Sequence, residues 1–183
     1  MNTANKLTLV RIGVVPVILV LLYLGQPWAL WTAVCVYIVA CVTDTLDGYV
    51  ARHYDQISNF GKFMDPLADK MLVLSVMCVF VQRGQMAGWV LALVLLREFG
   101  VSGLRLLAVE RGQVIAAAWS GKLKTLVTMI CLGFMIPFKW DWLSIVAQIL
   151  ILLTTLVSGA EYFWKTRAVF RGAGHQSRRV LIY

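Results

Sequence analysis

The chain is predicted to be an all-α integral membrane protein with six transmembrane helices, and three observations predict it. The 183 residues are 60% hydrophobic and only 14% charged, with a mean hydropathy of +0.78, whereas a soluble domain carries about 25% charged residues. The apolar residues fall in six long runs. The basic residues are segregated, so that connections between runs alternate between basic and nearly uncharged.

The first run, Lys6–Leu24, lacks a small-residue cleavage site and reads as a retained span, not a removable signal. The second is Trp28–Asp47. Its purely apolar part, Trp28 to Thr43, is sixteen residues, about 24 Å of helix against a hydrocarbon core of about 30 Å, which puts Asp44 and Asp47 at the membrane boundary. The third, Phe60–Val81, opens on Asp65, Asp69 and Lys70, with Pro66 suited to the first turn of a helix that Asp65 caps. The fourth, Met86–Ala108, carries Arg97 and Glu98 near its middle; the fifth, Lys122–Phe138, opens on Lys122 and Lys124; the sixth is Trp142–Trp164. Residues 1–170 read as one domain and 171–183 as a flexible polar tail.

One face would carry Lys6, Arg11, Arg52, Lys62, Lys70, Arg105, Arg111, Lys122, Lys124 and the tail from Lys165 onward; the other carries little beyond Arg83 and Lys139. That asymmetry makes both termini cytoplasmic and accounts for the net charge of +8 without nucleic acid as a partner. The polar span ends then gather on one side, around a cavity open to the cytoplasm, a layout suited to a reaction between a lipid and a water-soluble partner. Cys35, Cys41, Cys78 and Cys131 sit in apolar runs with no CxxC or Cys/His grouping, and His53 and His175 are isolated, so neither zinc nor a disulfide framework is expected.

The richest window runs from Asp44 to Asp69 and reads D-x2-D-G-x2-A-R-x8-G-x3-D-x3-D: Asp44, Asp47, Gly48, Ala51, Arg52, Gly61, Asp65 and Asp69. Asp44, Asp47 and Ala51 are spaced i, i+3, i+7, and Gly61, Asp65 and Asp69 are spaced i, i+4, i+8, so each trio shares a helix face. Packed together, the two faces make a four-carboxylate pocket. Acidic groups beside a bilayer are costly and mark function, and converging carboxylates repel unless cations lie between them. An oxygen-rich, thiol-free pocket prefers Mg²⁺, Mn²⁺ or Ca²⁺, with ligands enough for two ions. Gly48 and Ala51 leave room for a flat group such as a nucleobase or ribose, or for close helix packing. Arg52 can donate to phosphate. Interfacial salt bridges to Arg52, Lys62 and Lys70 would explain any one Asp. Eight fixed residues, at about one chance in twenty each, arise on the order of once in 10^10 starts.

This window resembles, without departure, the signature of the CDP-alcohol phosphotransferases, membrane enzymes that move a phospho-alcohol group from a CDP-linked donor to an acceptor hydroxyl and release CMP. The resemblance implies a bacterial cytoplasmic membrane protein with six multi-pass helices, a homodimer in an anionic lipid bilayer. It implies Asp44, Asp47, Asp65 and Asp69 as ligands of two Mg²⁺ or Mn²⁺ ions, with Asp69 also the catalytic base. It further implies CDP-donor contacts at Asn5, Thr8, Gly48, Ala51, Arg52, Ser58 and Gly61.

Two other segments bear on the acceptor. Arg97-Glu98-Phe99-Gly100-Val101-Ser102-Gly103-Leu104-Arg105 places charges in mid-span, where they must pair or face a cavity. Arg97 and Glu98 read as a structural pair and Arg105 as an anion binder. In Ser120-Gly121-Lys122-Leu123-Lys124-Thr125 the two lysines point about 200° apart, so one reaches the pocket and the other contacts headgroups. Arg105, Lys122, Lys124 and Arg11 are the candidate acceptor-phosphate contacts. Both segments resemble the branch of the family that uses CDP-diacylglycerol as donor and sn-glycerol 3-phosphate as acceptor; inositol phosphate or phosphatidylglycerol as acceptor keeps the same chemistry. A divalent-cation transporter is the non-enzymatic alternative. It is disfavoured because the half opposite the carboxylates is almost entirely Leu, Val, Ile, Trp and Phe, with no polar path through it. A membrane-anchored scaffold would leave the four-Asp spacing unexplained.

Overall fold

A computed structural model describes the backbone of residues 3–53, 59–110 and 119–176, and the side chains of residues 10–43, 70–108, 119–165 and 167. The described residues form six α-helices and no strand: α1 (Thr3–Leu24), α2 (Pro27–His53), α3 (Asn59–Gln82), α4 (Gly88–Glu110), α5 (Trp119–Met135) and α6 (Asp141–Gln176). Each matches one of the six apolar runs. The boundaries differ where hydropathy and helix formation part company. α2 runs on to His53, because the polar residues after Asp47 leave the apolar run without breaking the helix. At 27 residues it is about 40 Å long and outreaches a hydrocarbon core of about 30 Å. α3 starts at Asn59, so Asp65 does not cap it and Pro66 lies well inside, contrary to the expected first turn. α5 stops at Met135, two residues before Pro137, whose ring disfavours helix at the residue preceding it. α6 continues to Gln176, into the segment expected to be a flexible tail: extending an existing helix gains a hydrogen bond per residue, and no proline intervenes.

Two tight turns fix one end of the bundle. At Gly84 (φ 71°) the Gly84 N–H bonds Val81 C=O at 3.1 Å and the Gln85 N–H bonds Phe80 C=O at 2.9 Å. This is a Schellman closure, and it needs the left-handed conformation that glycine adopts without strain. Gly25 (φ 65°) ends α1 in the same left-handed conformation, its N–H on Leu22 C=O at 3.1 Å. Tyr23 donates to Gln82 Oε1, joining the two helix ends. Gln148 of α6 completes the α3–α4 turn: its Oε1 accepts from the Ala87 N–H at 2.8 Å, and its Nε2 donates to Gln85 C=O at 3.3 Å.

α1 packs on α2 and α3, α4 on α3 and α6, and α5 on α2, α3 and α6. The buried core runs through Ile18, Leu22, Tyr37, Val76, Met77, Phe80, Leu132, Met135 and Ile151. The outside is apolar too. Leu96 is 73% exposed, and Val20, Leu106, Ile145, Leu153 and Val157 all face outward. Water-soluble monomers do not expose continuous apolar surface of this extent, and a lipid surround accounts for it. Among the described residues one segment, Asp141–Lys165, is long and apolar enough to cross a membrane on its own; shorter apolar stretches cover Val10–Leu24, Pro27–Thr43 and Lys70–Gln82.

Candidate active site

The two halves of the acidic motif flank one helix connection. Asp44, Asp47, Gly48, Ala51 and Arg52 occupy the C-terminal part of α2, and Gly61, Asp65 and Asp69 the N-terminal part of α3. Six Cα steps separate His53 from Asn59, so these helix ends are at most about 20 Å apart. Both segments are helical, and the i, i+3, i+7 and i, i+4, i+8 registers therefore apply. α1 packs against both helices, and its first turns, which carry Asn5 and Thr8, belong to the same end. The side chains of all these residues, and Ser58 altogether, lie outside the described residues. Among the described residues no three His, Cys, Asp or Glu side chains form a metal-binding group. The four cysteines are free.

The first described side chain of α3 is Lys70, and it reaches α4. Its Nζ donates to Ser102 Oγ and to Glu98 C=O at 3.4 Å, and lies 3.7 Å from the Glu98 carboxylate. The same carboxylate receives Lys124 of α5 at 2.9 Å and Arg97 at 2.8 Å. Arg97 also donates to Ser158 of α6. Gly121 and Gly159 lie against this arginine: a Cβ at Gly121 would stand 3.4 Å from Arg97 Nη2, and one at Gly159 3.5 Å from Arg97 Cγ, both ordinary contacts. One carboxylate thus gathers three cations from three helices. Lys124 has 4% of its side chain exposed and Glu98 13%. Buried charge at mid-span persists only when paired in this way. The expected Arg97–Glu98 pair is present, but as part of a larger cluster.

The other candidate cations are dispersed. Lys122 is exposed, on the face of α5 away from Lys124. Arg105, one turn beyond Ser102, donates to Tyr162 Oη, and its guanidinium lies 5.1 Å above the Tyr162 ring, which fixes it against α6. Arg11 is buried on the wall of a cavity of about 260 Å³ between α1 and α2, otherwise lined mainly by Val10, Val14, Cys35, Val36, Val39 and Ala40 and ending at Thr43. Sequence reasoning missed Ser158 and Tyr162. Ser158 and Tyr162 were detectable as polar groups four residues apart following an apolar run in α6.

A model of the family described as CDP-alcohol phosphatidyltransferase matches residues 1–159. The chain belongs to the CDP-alcohol phosphatidyltransferase family. Its relatives include a protein of Mycobacterium tuberculosis (strain ATCC 25618 / H37Rv) named "Probable phosphatidylglycerophosphate synthase". It is 40% identical over 167 residues, covering 88% of this chain and 79% of that protein. A CDP-diacylglycerol--glycerol-3-phosphate 3-phosphatidyltransferase of Bacillus subtilis (strain 168) is 34% identical over 183 residues, covering 90% of this chain and 94% of the relative. One of the same name from Shigella flexneri serotype 5b (strain 8401) is 34% identical over 175 residues, with 91% and 96% covered.

Proposed function

We propose that this chain is a phosphatidylglycerophosphate synthase. It transfers the phosphatidyl group of CDP-diacylglycerol to a hydroxyl of sn-glycerol 3-phosphate and releases CMP, in the synthesis of phosphatidylglycerol and cardiolipin. The observation that carries the reading is the acidic motif itself, divided between the end of α2 and the start of α3 across one short connection. The names of the relatives support the donor and the acceptor. In the proposed arrangement all six helices cross the bacterial cytoplasmic membrane, both termini and the carboxylate end face the cytoplasm, and two copies associate.

The donor set fits hard divalent cations: four carboxylates and no thiol. Asp44, Asp47, Asp65 and Asp69 would hold two Mg²⁺ or Mn²⁺ ions, which when bound neutralise charge on the diphosphate oxygens. The protein's own residues do the rest. Asn5, Thr8, Gly48, Ala51, Arg52, Ser58 and Gly61 bind and orient the cytidine diphosphate. Asp69 accepts the proton of the acceptor hydroxyl as its oxygen bonds to the phosphatidyl phosphorus. The bond from that phosphorus to the oxygen of CMP breaks, and CMP leaves with the electron pair. Lys124, Arg105, Arg11 and Lys122 are the proposed contacts for the acceptor phosphate. Lys124 is best placed among them, because the cluster around Glu98 has two positive charges in excess.

The test is CMP release by the detergent-purified protein with CDP-diacylglycerol and Mg²⁺, offered no acceptor, glycerol 3-phosphate, inositol phosphate or serine. Release only with glycerol 3-phosphate, lost in Asp69→Asn with the fold intact, is the expected result. Release with a different acceptor overturns the substrate assignment, and no release with any acceptor overturns the reaction.

A further inference from the structure

The bond network around Lys70 has a consequence for the reaction. Lys70 follows Asp69 directly on α3, yet its ammonium group is committed to α4, on the Ser102 hydroxyl, the Glu98 carbonyl at 3.4 Å and the Glu98 carboxylate at 3.7 Å. Three acceptors on one helix hold a single ammonium from another. On the helical wheel, positions 69 and 65 lie about 100° and 140° from position 70. A clamp that holds position 70 towards α4 therefore fixes the direction in which the acidic stripe of α3 faces. Lys70 is the described side chain of α3 nearest the acidic stripe, one residue from Asp69, and the apolar core contacts at Leu72, Val73 and Val76 follow it.

We infer that Lys70 is a positioning residue for the phosphatidyl transfer, acting through Glu98 and Ser102 to set the rotation of α3 at the turn bearing Asp65 and Asp69. The inference rests on the proposed function. Lys70 touches neither substrate; it acts through the carboxylates. A rotation of about 10° moves a group about 6 Å from the helix axis by about 1 Å, and a misplacement of about 1 Å costs about a hundredfold in rate. The fold survives loss of the clamp, because Glu98 keeps Lys124 at 2.9 Å and Arg97 at 2.8 Å.

The experiment compares kcat, KM for glycerol 3-phosphate and the unfolding midpoint of full-length wild type, Lys70→Met, Lys70→Arg, Ser102→Ala and the Lys70→Met/Ser102→Ala double variant in one detergent. The expected result for Lys70→Met is a kcat about a hundredfold lower, an acceptor KM within about threefold of wild type and an unchanged midpoint, because uniform binding is not what was removed. Lys70→Arg, which keeps charge and reach, stays within about tenfold of wild type. The double variant is no slower than Lys70→Met, since both changes break the same link. An unchanged kcat in Lys70→Met overturns the inference, as does a raised KM at unchanged kcat, which would make Lys70 an acceptor contact. A kcat loss that merely follows a lowered midpoint also overturns it. Wild type inactive with every acceptor defeats the phosphatidyltransferase reading and this inference with it, whereas active wild type with an equally active Lys70→Met defeats this inference alone.

Discussion

Glu98 and Lys124 form a 2.9 Å ion pair, but removing one partner is not equivalent to removing the other. At an effective dielectric of about 20, each of the two close contacts of Glu98, to Lys124 and to Arg97, is a gross attraction of about 6 kcal/mol, and the longer contact to Lys70 about 4 kcal/mol. Glu98→Gln abolishes all three and strands three half-buried or buried cations without a counter-charge. Breaking a buried pair in that way costs about 3–5 kcal/mol. Lys124→Met deletes one attraction but leaves Glu98 with Arg97 and Lys70, and it removes the desolvation cost of an ammonium with only 4% of its side chain exposed, several kcal/mol per ion. The two effects nearly cancel, for a net change of about 1 kcal/mol or less. For a chain of this length 1 kcal/mol moves the unfolding midpoint by about 2–4 °C, so Glu98→Gln should lower it by about 10 °C and Lys124→Met by no more than about 4 °C. The assay is thermal unfolding of both variants in the same detergent, followed by near-ultraviolet circular dichroism. Equal losses, or a larger loss for Lys124→Met, would refute the argument that the cluster holds cations in excess.

Chelation of divalent cations should stop CMP release, and added Mg²⁺ should restore it; full turnover after exhaustive chelation would remove the four carboxylates from the metal-binding role. Gly121→Ala places a methyl 3.4 Å from Arg97 Nη2 and 3.5 Å from Tyr162 Cε2, ordinary contacts that should leave the unfolding midpoint within about 2 °C. Gly121→Val adds bulk where α5 meets Arg97 and Tyr162 and should cost about 1–3 kcal/mol, read as a lower midpoint. If Val is tolerated as well as Ala, the close approach of α5 to that arginine is not a constraint.

The number of helices and the face-sharing of the acidic residues were legible because both follow from periodicity along one chain. Six apolar runs gave six helices. The ends were less legible because hydropathy reports the bilayer whereas helices obey backbone hydrogen bonding: α2 continues through polar residues to His53, and α5 yields at Met135 to a proline two residues on. The acidic motif could be read from spacing alone, but its side chains lie outside the described residues, so its assignment as the site stays a proposal. Lys122 and Lys124 show the other boundary of sequence reasoning. Their 200° separation implied that one turns inward, and only the rotation of α5 against α4 decides that it is Lys124, on Glu98. The pairing of Glu98 with its neighbour Arg97 was legible on α4, but its partners Lys70 and Lys124 come from α3 and α5, and nothing along any one helix pairs them with it.

The two ends of the bundle are held by different forces, and that difference suits a reaction between a membrane lipid and a soluble phosphate. The end opposite the carboxylates is closed by short-range means: glycine turns at Gly25 and Gly84, the Gln148 side chain in the α3–α4 turn, and the stack of Phe138 on Trp140 at 4.9 Å and Trp140 on Trp142 at 5.8 Å. Towards the carboxylates, α3, α4, α5 and α6 are tied by Lys70, Glu98, Lys124, Arg97 and Ser158. Apolar side chains could join those helices only by filling the space between them, since hydrophobic attraction acts through close contact. Long charged side chains bring α3, α4 and α5 to one carboxylate, and Arg97 carries the tie on to Ser158 of α6. Glu98 is therefore best understood as the anchor that ties α3, α4 and α5 together on the side of the bundle where Lys70 follows Asp69.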